Sequence, residues 1–296
     1  MLIFTSTASL QTQLNNFKQN GKKIGFVPTM GALHQGHISL ITNTLKDCDV
    51  VICSIFVNPT QFNDIRDLEK YPRTWNEDIR LLEIAKCTVV FAPTISEMYT
   101  EQELALKQQH IEDKSWALGK PIDFGILDKV MEEIQRPGHF NGMAQIVTKL
   151  LRIVEPDIAY FGQKDFQQLA IVRSLVKQLS LPVEIIACDI VREKDGLAMS
   201  SRNTRLSVKE RAFAPAISKC LFKIKELASI KTVIALKNIV IDDLKQIPEI
   251  TLEYVEIVDA LTLQSITDFK QTKSAVACIA VKLGEVRLID NVILYS

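Results

Sequence analysis

The chain has 296 residues and a mass of 33.4 kDa, which suits one large domain or two of moderate size. Hydrophobic residues make up 47% and charged residues 24%, so a core can form without disulfides or bound metals. The 35 basic and 35 acidic residues cancel, which argues against a dedicated nucleic-acid-binding protein but leaves room for a local cationic pocket.

No targeting or membrane signal is evident in the sequence. The first residues lack a basic segment followed by an apolar run, and the longest apolar runs, VVICSIFV and SAVACIAV, are short enough for strands. The six cysteines form no Cys-x-x-Cys pair. We therefore expect reduced, buried thiols in a cytoplasmic protein.

The first two thirds of the chain alternate short apolar runs with amphipathic stretches. The predicted strands cover residues 24–27, 50–57, 88–92, 158–161 and 183–191. The predicted helices cover residues 36–46, 74–86, 141–154 and 165–178, with Thr74 as an N-cap. This alternation predicts a parallel sheet with helices on both faces. In such sheets, ligands bind beyond the carboxyl ends of the strands.

The pattern changes at about residue 192. A polar loop, REKDGLAMSSRNTRLS, precedes predicted helices near 208–228 and 232–245. Predicted strands follow at 251–258, 274–282 and 286–289, and Leu283-Gly284-Glu285 marks a hairpin between the last two. Helices followed by antiparallel strands predict a small α+β domain. The polar stretch 99–134 gives no clear pattern.

The strongest local motif is PTMGALHQGH at residues 28–37, where a strand passes into a helix. Its two histidines, His34 and His37, are spaced to share one helix face, and a helix N-terminus attracts phosphate. Two alternatives are a pair of surface histidines at a helix cap and a metal pair lacking a nearby third ligand. The commoner Gly-rich phosphate loops are absent.

Three further segments carry candidate ligand groups. The loop Lys194 to Asn203 combines hydroxyls, a glycine and an arginine that can grip phosphate, although such loops are often solvated linkers. Lys164, in Gly162-Gln-Lys-Asp165, can meet a phosphate or simply pair with Asp165. The amides of Asn58, Gln61, Gln167 and Gln168 suit a small polyol or carboxylate, or are ordinary turn and helix residues.

Taken together, these segments resemble a known family. A His-x-Gly-His after the first predicted strand and a Ser-Ser-Arg-Asn loop after the last resemble the HIGH/KMSKS nucleotidyltransferase superfamily. The segments PTMGALHQGH, FVNPTQF, YPRT, RPGHFNG, VEPDIAYFGQKDFQQL, DGLAMSSRN and VRLIDN follow the order and spacing of the pantoate–β-alanine ligases (pantothenate synthetases). The resemblance covers residues 22–293.

The resemblance implies a Rossmann-like α/β domain at residues 1–190 and a smaller C-terminal α+β lid domain at 191–296. It implies that ATP, used with Mg²⁺, activates pantoate as an adenylate, which β-alanine then attacks. It also implies a cytoplasmic homodimer, with no nucleic-acid or membrane partner.

The same resemblance assigns candidate site residues. The catalytic candidates are His34, His37, Lys164 and Arg202. The remaining ATP-binding candidates are Met30, Gly31, Ala32, Leu33, Gln35, Gly36, Gly162, Gln163, Asp165, Val191, Met199, Ser200 and Ser201. Gln61 and Gln168 match the pantoate-binding amides, and Gln61 also matches a β-alanine contact. Asn58, Tyr71 and Arg136 are secondary candidates around the site. The Mg²⁺ ligands stay unassigned, and the acidic pair Glu77-Asp78 is left open.

Two positions depart from the family pattern: Gln163 replaces a usual glutamate, and Met199 replaces a commoner leucine. Two other functions share the superfamily signatures. An adenylyltransferase acting on a phosphate acceptor would need extra cations where this chain has the amides of Asn58, Gln61 and Gln168. A tRNA-aminoacylating fragment fits poorly with zero net charge and no recognisable anticodon-binding appendage.

Overall fold

The computed structural model describes residues 1–109 and 122–295, and the chain divides into two compact units. The first unit contains Met1–Phe124, Arg136–Gln163 and Gln168–Asp189. The second contains Gly125–Gln135, Lys164–Gln167 and Ile190–Ser296.

A six-stranded parallel sheet forms the centre of the first unit. Its strands are β1 (Leu2–Phe4), β2 (Ile24–Thr29), β3 (Val50–Ile55), β4 (Val89–Phe91), β5 (Ile158–Gly162) and β6 (Glu184–Cys188). They lie in the order β1-β4-β3-β2-β5-β6, and every pairing is parallel. The buried central strands β2, β3 and β4 are nearly continuous apolar runs, as expected for a sheet covered on both faces.

Helices and short turns connect these strands. The helices are α1 (Thr7–Gln19), α2 (Gln35–Asp47), α3 (Ile65–Glu69), α4 (Trp75–Ile84), α5 (Ile95–Met98), α6 (Glu101–Gln109), α7 (Glu132–Gln135), α8 (His139–Val154) and α9 (Phe166–Leu179). A 3₁₀ helix covers Pro59–Gln61. Helix α7 belongs to the second unit. Helix α8 is buried along almost its whole length, including polar residues, and this makes it a scaffold for the site described below.

The second unit packs helices on an antiparallel sheet. Its helices are α10 (Val208–Phe213), α11 (Ala216–Leu227) and α12 (Val233–Lys245), and its strands are β7 (Ile250–Asp259), β8 (Ala275–Leu283) and β9 (Val286–Tyr295). The strand order is β7-β8-β9. Short 3₁₀ helices cover Ser201–Arg205 and Phe269–Gln271. Inward-facing side chains of α11, α12 and the strands form one apolar core.

The structure confirms the predicted fold class, a parallel α/β sheet with a smaller α+β part, and corrects several details. Each predicted strand and helix of the first two thirds is present, and no end differs from the prediction by more than three residues. The predicted helix 208–228 is two helices, because Pro215 cannot continue the hydrogen-bond ladder of α10. Thr74 stands at the N-cap of α4 but makes no side-chain capping bond.

The N-terminal elements β1 and α1 were not predicted. The short helices α3, α5, α6 and α7 were not predicted either. The predicted burial of the thiols is confirmed, because all six cysteines are buried, and none is bonded to another in the structure. Among the described residues, no helix combines the length and apolar character needed to cross a bilayer.

Candidate active site

Four neighbouring strands of the first unit end at one edge of the sheet. Because β3, β2, β5 and β6 are adjacent and parallel, the segments after them start from the same edge. These segments begin with Met30 after β2, Asn58 shortly after β3, and Gln163 after β5. Gln163 continues the β5–β6 pairing by donating its backbone N–H to the Cys188 carbonyl at 2.8 Å. The topology therefore brings the predicted residues of this unit to one edge.

A buried carboxylate holds the loop after β2. Asp78, on α4, accepts hydrogen bonds from the backbone N–H groups of Ala32 at 2.9 Å and Leu33 at 2.8 Å. Ala32 lies in the left-handed region with φ of 49°, a costly conformation for a residue with a side chain. The Thr74 hydroxyl also donates to Asp78, at 3.0 Å. These bonds fix the backbone at the entrance to the two histidines.

The two histidines pack against each other at the N-terminus of α2. His34 is the N-cap, and its Nδ1 accepts from the Gly36 N–H at 3.1 Å. The Nδ1 of His37 accepts in return from the His34 N–H at 3.2 Å, and the ring centroids are 4.1 Å apart. Both histidines therefore cap the helix, as one of the alternatives predicted. The capping bonds use only Nδ1 of each ring, and Nε2 takes no part in them.

These capping bonds decide which ring nitrogen carries the proton. A backbone N–H can only donate, so each Nδ1 must accept and cannot be protonated. In a neutral imidazole the proton then lies on Nε2, which is a hydrogen-bond donor. Both histidines thus have an Nε2–H at the N-terminus of a 13-residue helix, where the helix dipole favours negative charge.

The amide group after β3 is buried and hydrogen-bonded. Asn58 donates through Nδ2 to the Oε1 of Gln61 at 3.0 Å and to the Gly142 carbonyl at 3.1 Å. A Cβ at Gly142 would lie 2.3 Å from the Thr60 carbonyl oxygen, so this close contact with α8 requires glycine. The backbone carbonyl of Gln61 is bound as well, by His139 Nδ1 at 2.8 Å.

His139 in turn contacts Arg136, one of the secondary candidates. The Gln61 carbonyl can only accept, so His139 Nδ1 carries the proton and its Nε2 accepts from Arg136 Nη1 at 3.2 Å. Tyr71, another secondary candidate, packs edge-on against Phe62, with ring centroids 5.8 Å apart. In the described structure, Arg136 therefore supports Gln61 through His139, and Tyr71 packs beside Phe62.

The two adjacent glutamines on α9 have different environments. Gln167 is buried; its Nε2 donates to the carbonyls of Leu127 and Val130, and its Oε1 accepts from the Glu132 N–H. Those bonds account for the amide oxygen and both amide hydrogens. Gln168 is half-buried in the first turn of the helix. Of the two, Gln168 is the one suited to a ligand.

In the second unit, the backbone of Lys164 is bound to the last strand. The Asn291 side chain, which is buried on β9, donates to the Lys164 carbonyl at 2.9 Å. The Lys164 ammonium lies 3.8 Å from the Asp165 carboxylate, and its side chain is only 19% exposed. The predicted pairing with Asp165 is therefore present, although the distance is long and most of the lysine side chain is buried.

The Ser-Ser-Arg-Asn loop is held at its base by an ion pair. Arg192 makes two hydrogen bonds to Asp290, at 2.6 and 3.0 Å, and donates to the Gly196 carbonyl. Burial raises the pKa of the Asp290 carboxyl, while the Arg192 bonds oppose that rise. A bidentate pair of this kind fixes both side chains in a single orientation.

Further bonds hold the rest of this loop. Met199 donates its backbone N–H to the Val191 carbonyl at 3.0 Å, and Asn203 donates to Glu193 and to the Ala198 carbonyl. Ser200 accepts from the Arg202 N–H at 3.2 Å and so caps the 3₁₀ helix Ser201–Arg205. The alternative of a solvated linker is wrong, because the loop is tied to β9 and to itself.

The acidic pair left open in the sequence has other partners. Asp78 receives the backbone bonds described above, and Glu77 forms a salt bridge with Arg80, whose hydrogen bond lowers the pKa of the Glu77 carboxyl. Among the residues the structure describes, no group of three or more His, Cys, Asp or Glu side chains is placed to hold a metal ion. In the structure, Asp78 thus supports the loop after β2, and Glu77 pairs with Arg80 on the same helix.

Several residues that support the candidate residues within each unit were not singled out from the sequence. Asp78 stands out only as half of an acidic pair, and His139, Arg192 and Asp290 do not stand out. The one available signal was the closing VRLIDN segment, which contains Asp290 and Asn291. A buried polar residue in an apolar strand usually has a structural partner.

Comparison with known proteins gives matches over the whole chain. The family model described as pantoate-beta-alanine ligase matches residues 2–293. The pantothenate synthetase of Porphyromonas gingivalis is 49% identical over 292 residues, with 99% of each chain covered. That of Bacteroides fragilis is 48% identical over 292 residues, covering 99% of this chain and 98% of the relative.

Solved structures agree with the sequence matches. Pantothenate synthetase from Thermus thermophilus superposes with a TM-score of 0.89 at 36% identity, covering 100% of both chains. Pantoate-beta-alanine ligase from Francisella tularensis, in complex with beta-gamma ATP and β-alanine, gives a TM-score of 0.78 at 33% identity over 99% of this chain and 98% of that one.

Proposed function

The chain belongs to the pantoate–β-alanine ligase family, and from this premise we propose how its residues carry out the reaction. The enzyme condenses (R)-pantoate with β-alanine to give pantothenate, with conversion of ATP to AMP and pyrophosphate. The observation that carries our assignment of roles is the pair of histidines in ring contact, each with an Nε2–H donor, at the N-terminus of α2.

The first step forms pantoyl adenylate. A pantoate carboxylate oxygen attacks the α-phosphorus of ATP, and the bond to the bridging oxygen breaks as pyrophosphate leaves. Because the substrate carboxylate is the nucleophile, no protein nucleophile is needed. The Nε2–H groups of His34 and His37 donate to phosphate oxygens as negative charge moves toward pyrophosphate, and such preorganised donors stabilise the transition state.

The second step transfers the acyl group. The neutral β-alanine amine attacks the pantoyl carbonyl carbon and gives up one proton to water as the amide bond forms, and the bond to the AMP oxygen breaks. Gln61 and Gln168 orient pantoate by hydrogen bonds, and Gln61 also contacts β-alanine. Lys164 and Arg202 act in the first step, where two anions must approach each other. Buried amides orient such a substrate without a change of protonation.

We assign the remaining predicted residues to ATP binding. In the first unit these are Met30 to His37, together with Gly162 and Gln163. From the second unit we assign Lys164 and Asp165, Val191, and Met199 to Arg202. Support for this assignment is that Asp78 fixes the first of these segments and Arg192 the last.

We also propose Mg²⁺ as the companion of the nucleotide phosphates, since Mg²⁺ in such sites is commonly bound through substrate phosphates and water. We propose a homodimer in the cytoplasm, and the six free buried thiols support a reducing compartment. We propose two domains, formed by residues 1–190 and residues 191–296.

The function is tested by product analysis. The purified chain is incubated with ATP, Mg²⁺, pantoate and β-alanine, and AMP and pantothenate are measured by chromatography. One AMP should form for each pantothenate, and omission of either organic substrate should stop pantothenate formation. ATP consumption that instead requires a phosphorylated acceptor would support the competing adenylyltransferase function.

A further inference from the structure

The orientation of the Asn58 amide is fixed by two backbone groups. Its Oδ1 receives the Thr60 N–H at 3.3 Å, and a backbone N–H can only donate. Its Nδ2 lies 3.1 Å from the Gly142 carbonyl, which can only accept. If the amide were flipped, Nδ2 would face the Thr60 N–H and Oδ1 would face the Gly142 carbonyl oxygen, so a donor would meet a donor and an acceptor would meet an acceptor. Asn58 therefore has one allowed orientation, at a position that is 1% exposed.

This orientation fixes the neighbouring amide of Gln61. Asn58 Nδ2 donates to Gln61, so the atom of Gln61 facing Asn58 must be the oxygen, Oε1. The amide nitrogen Nε2, which is a donor, is then the end of Gln61 that a ligand can use. Pantoate is an anion with hydroxyl groups, and its oxygen atoms can accept hydrogen bonds from Nε2.

Tyr99 completes the support of this amide pair. Its hydroxyl donates to Asn58 Oδ1 at 2.7 Å, the shortest of the bonds to that oxygen. Tyr99 is itself held: the Lys149 ammonium lies over its ring, 4.8 Å from the centroid, and Lys149 also donates to the Met98 carbonyl and to Glu103. Burial raises the pKa of the Tyr99 phenol, so the hydroxyl keeps the proton that it donates.

We propose that Tyr99 is a positioning residue for pantoate. Through Asn58, Tyr99 holds the Gln61 side chain so that the Gln61 Nε2–H group is available to the substrate. Tyr99 itself need not touch the substrate. This inference rests on the proposed function, because it takes Gln61 as a pantoate contact. It assigns to Tyr99, 41 residues from Asn58 in sequence, a role in substrate affinity.

The test is the substitution Tyr99→Phe, which removes one hydroxyl and keeps the ring under Lys149. We expect the KM for pantoate to rise roughly three- to tenfold, as for the loss of one net hydrogen bond, and the KM for ATP to stay within about twofold. Tyr160→Phe is the matched control. It also removes the hydroxyl of a buried tyrosine, but that hydroxyl donates to Asp47, at 2.8 Å, rather than to Asn58.

A merely structural role would lower stability without this selectivity. We expect both phenylalanine variants to lose similar free energy of unfolding in urea, while only Tyr99→Phe changes the KM for pantoate. Equal kinetic effects in the two variants, or an unchanged KM for pantoate in Tyr99→Phe, would overturn the inference.

A double-mutant cycle tests whether Tyr99 acts through Gln61. In a Gln61→Ala background, Tyr99→Phe should no longer change the KM for pantoate, because the side chain it positions is gone. A full additive effect there would contradict the proposed route. Wild-type enzyme that forms no pantothenate would refute the proposed function, whereas active wild-type enzyme with additive variants would refute only the role of Tyr99.

Discussion

The substitution His34→Asn separates the capping role that the structure shows for this histidine from the phosphate-donor role that we propose. The asparagine Oδ1 stands where the imidazole Nδ1 stands, so it can accept the Gly36 N–H and keep the N-cap of α2. Asparagine is among the best N-cap residues. It has no atom at the position of Nε2, and the proposed phosphate donor is therefore lost.

The two effects differ greatly in size. With the cap retained, the free energy of unfolding should change by less than about 0.5 kcal/mol, as for a substitution that breaks no key contact. Loss of one preorganised donor costs about 100- to 1,000-fold in rate, or about 2.7–4 kcal/mol of transition-state stabilisation. His34→Ala should lose the donor and also about 1 kcal/mol of cap stability.

Two measurements on the same preparations distinguish the two roles. Urea unfolding gives the free energy of unfolding, which depends on the helix cap. The rate of pantoate-dependent exchange of labelled pyrophosphate into ATP depends on the phosphate donor. We expect His34→Asn to unfold like wild type and to exchange about 100-fold more slowly or worse. An asparagine variant that exchanges within about threefold of wild type would show that His34 is only a cap, and the donor role would be wrong.

Four further predictions address other parts of the site. Lys164→Ala and Arg202→Ala should slow adenylate formation far more than aminolysis of pre-formed pantoyl adenylate, because two like charges about 4 Å apart repel by about 4 kcal/mol at a dielectric constant of 20. Equal losses in single-turnover assays of both steps would contradict this. Asn291→Ala removes the bond to the Lys164 carbonyl and should slow adenylate formation by roughly tenfold, with pantoate affinity unchanged in equilibrium binding. Asp78→Asn leaves one backbone N–H of the loop after β2 facing an amide donor; it should lower the free energy of unfolding by about 1–3 kcal/mol and slow exchange, and wild-type values of both would refute that support. Burial raises the pKa of the Cys87 thiol from 9.0 to about 12, so unfolded chains lose this proton first as pH rises. The free energy of unfolding in urea should therefore fall between pH 9 and about 12, and Cys87→Ala should flatten that fall.

Local patterns carried most of the fold prediction. Buried parallel strands such as β3 are β-branched apolar runs, and α2 begins within the motif His34-Gln-Gly-His37, so both could be located from neighbouring residues alone. Strand β1 could not be located in this way. It has three residues at the edge of the sheet, and Leu2 and Ile3 are each 45% exposed, which leaves no buried pattern to detect.

The candidate site residues could be named from motifs, but the residues that support them could not. Asp290 meets Arg192 across 98 residues, and Arg287 meets Glu132 across 155. Such contacts depend on the folded topology and leave no mark on the residues beside them in sequence. The loop carrying Arg202 therefore resembled a mobile linker in the sequence, whereas the ion pair at its base ties it to β9.

Pantoate-dependent exchange of labelled pyrophosphate into ATP, with β-alanine and RNA both absent, tests the central claim most directly. The assay isolates the reversible adenylation of pantoate from the acyl transfer that follows it. We predict exchange that requires pantoate and is abolished when pantoate is omitted. Exchange that proceeds without pantoate, or that occurs only with a phosphorylated acceptor or with RNA, would contradict the account.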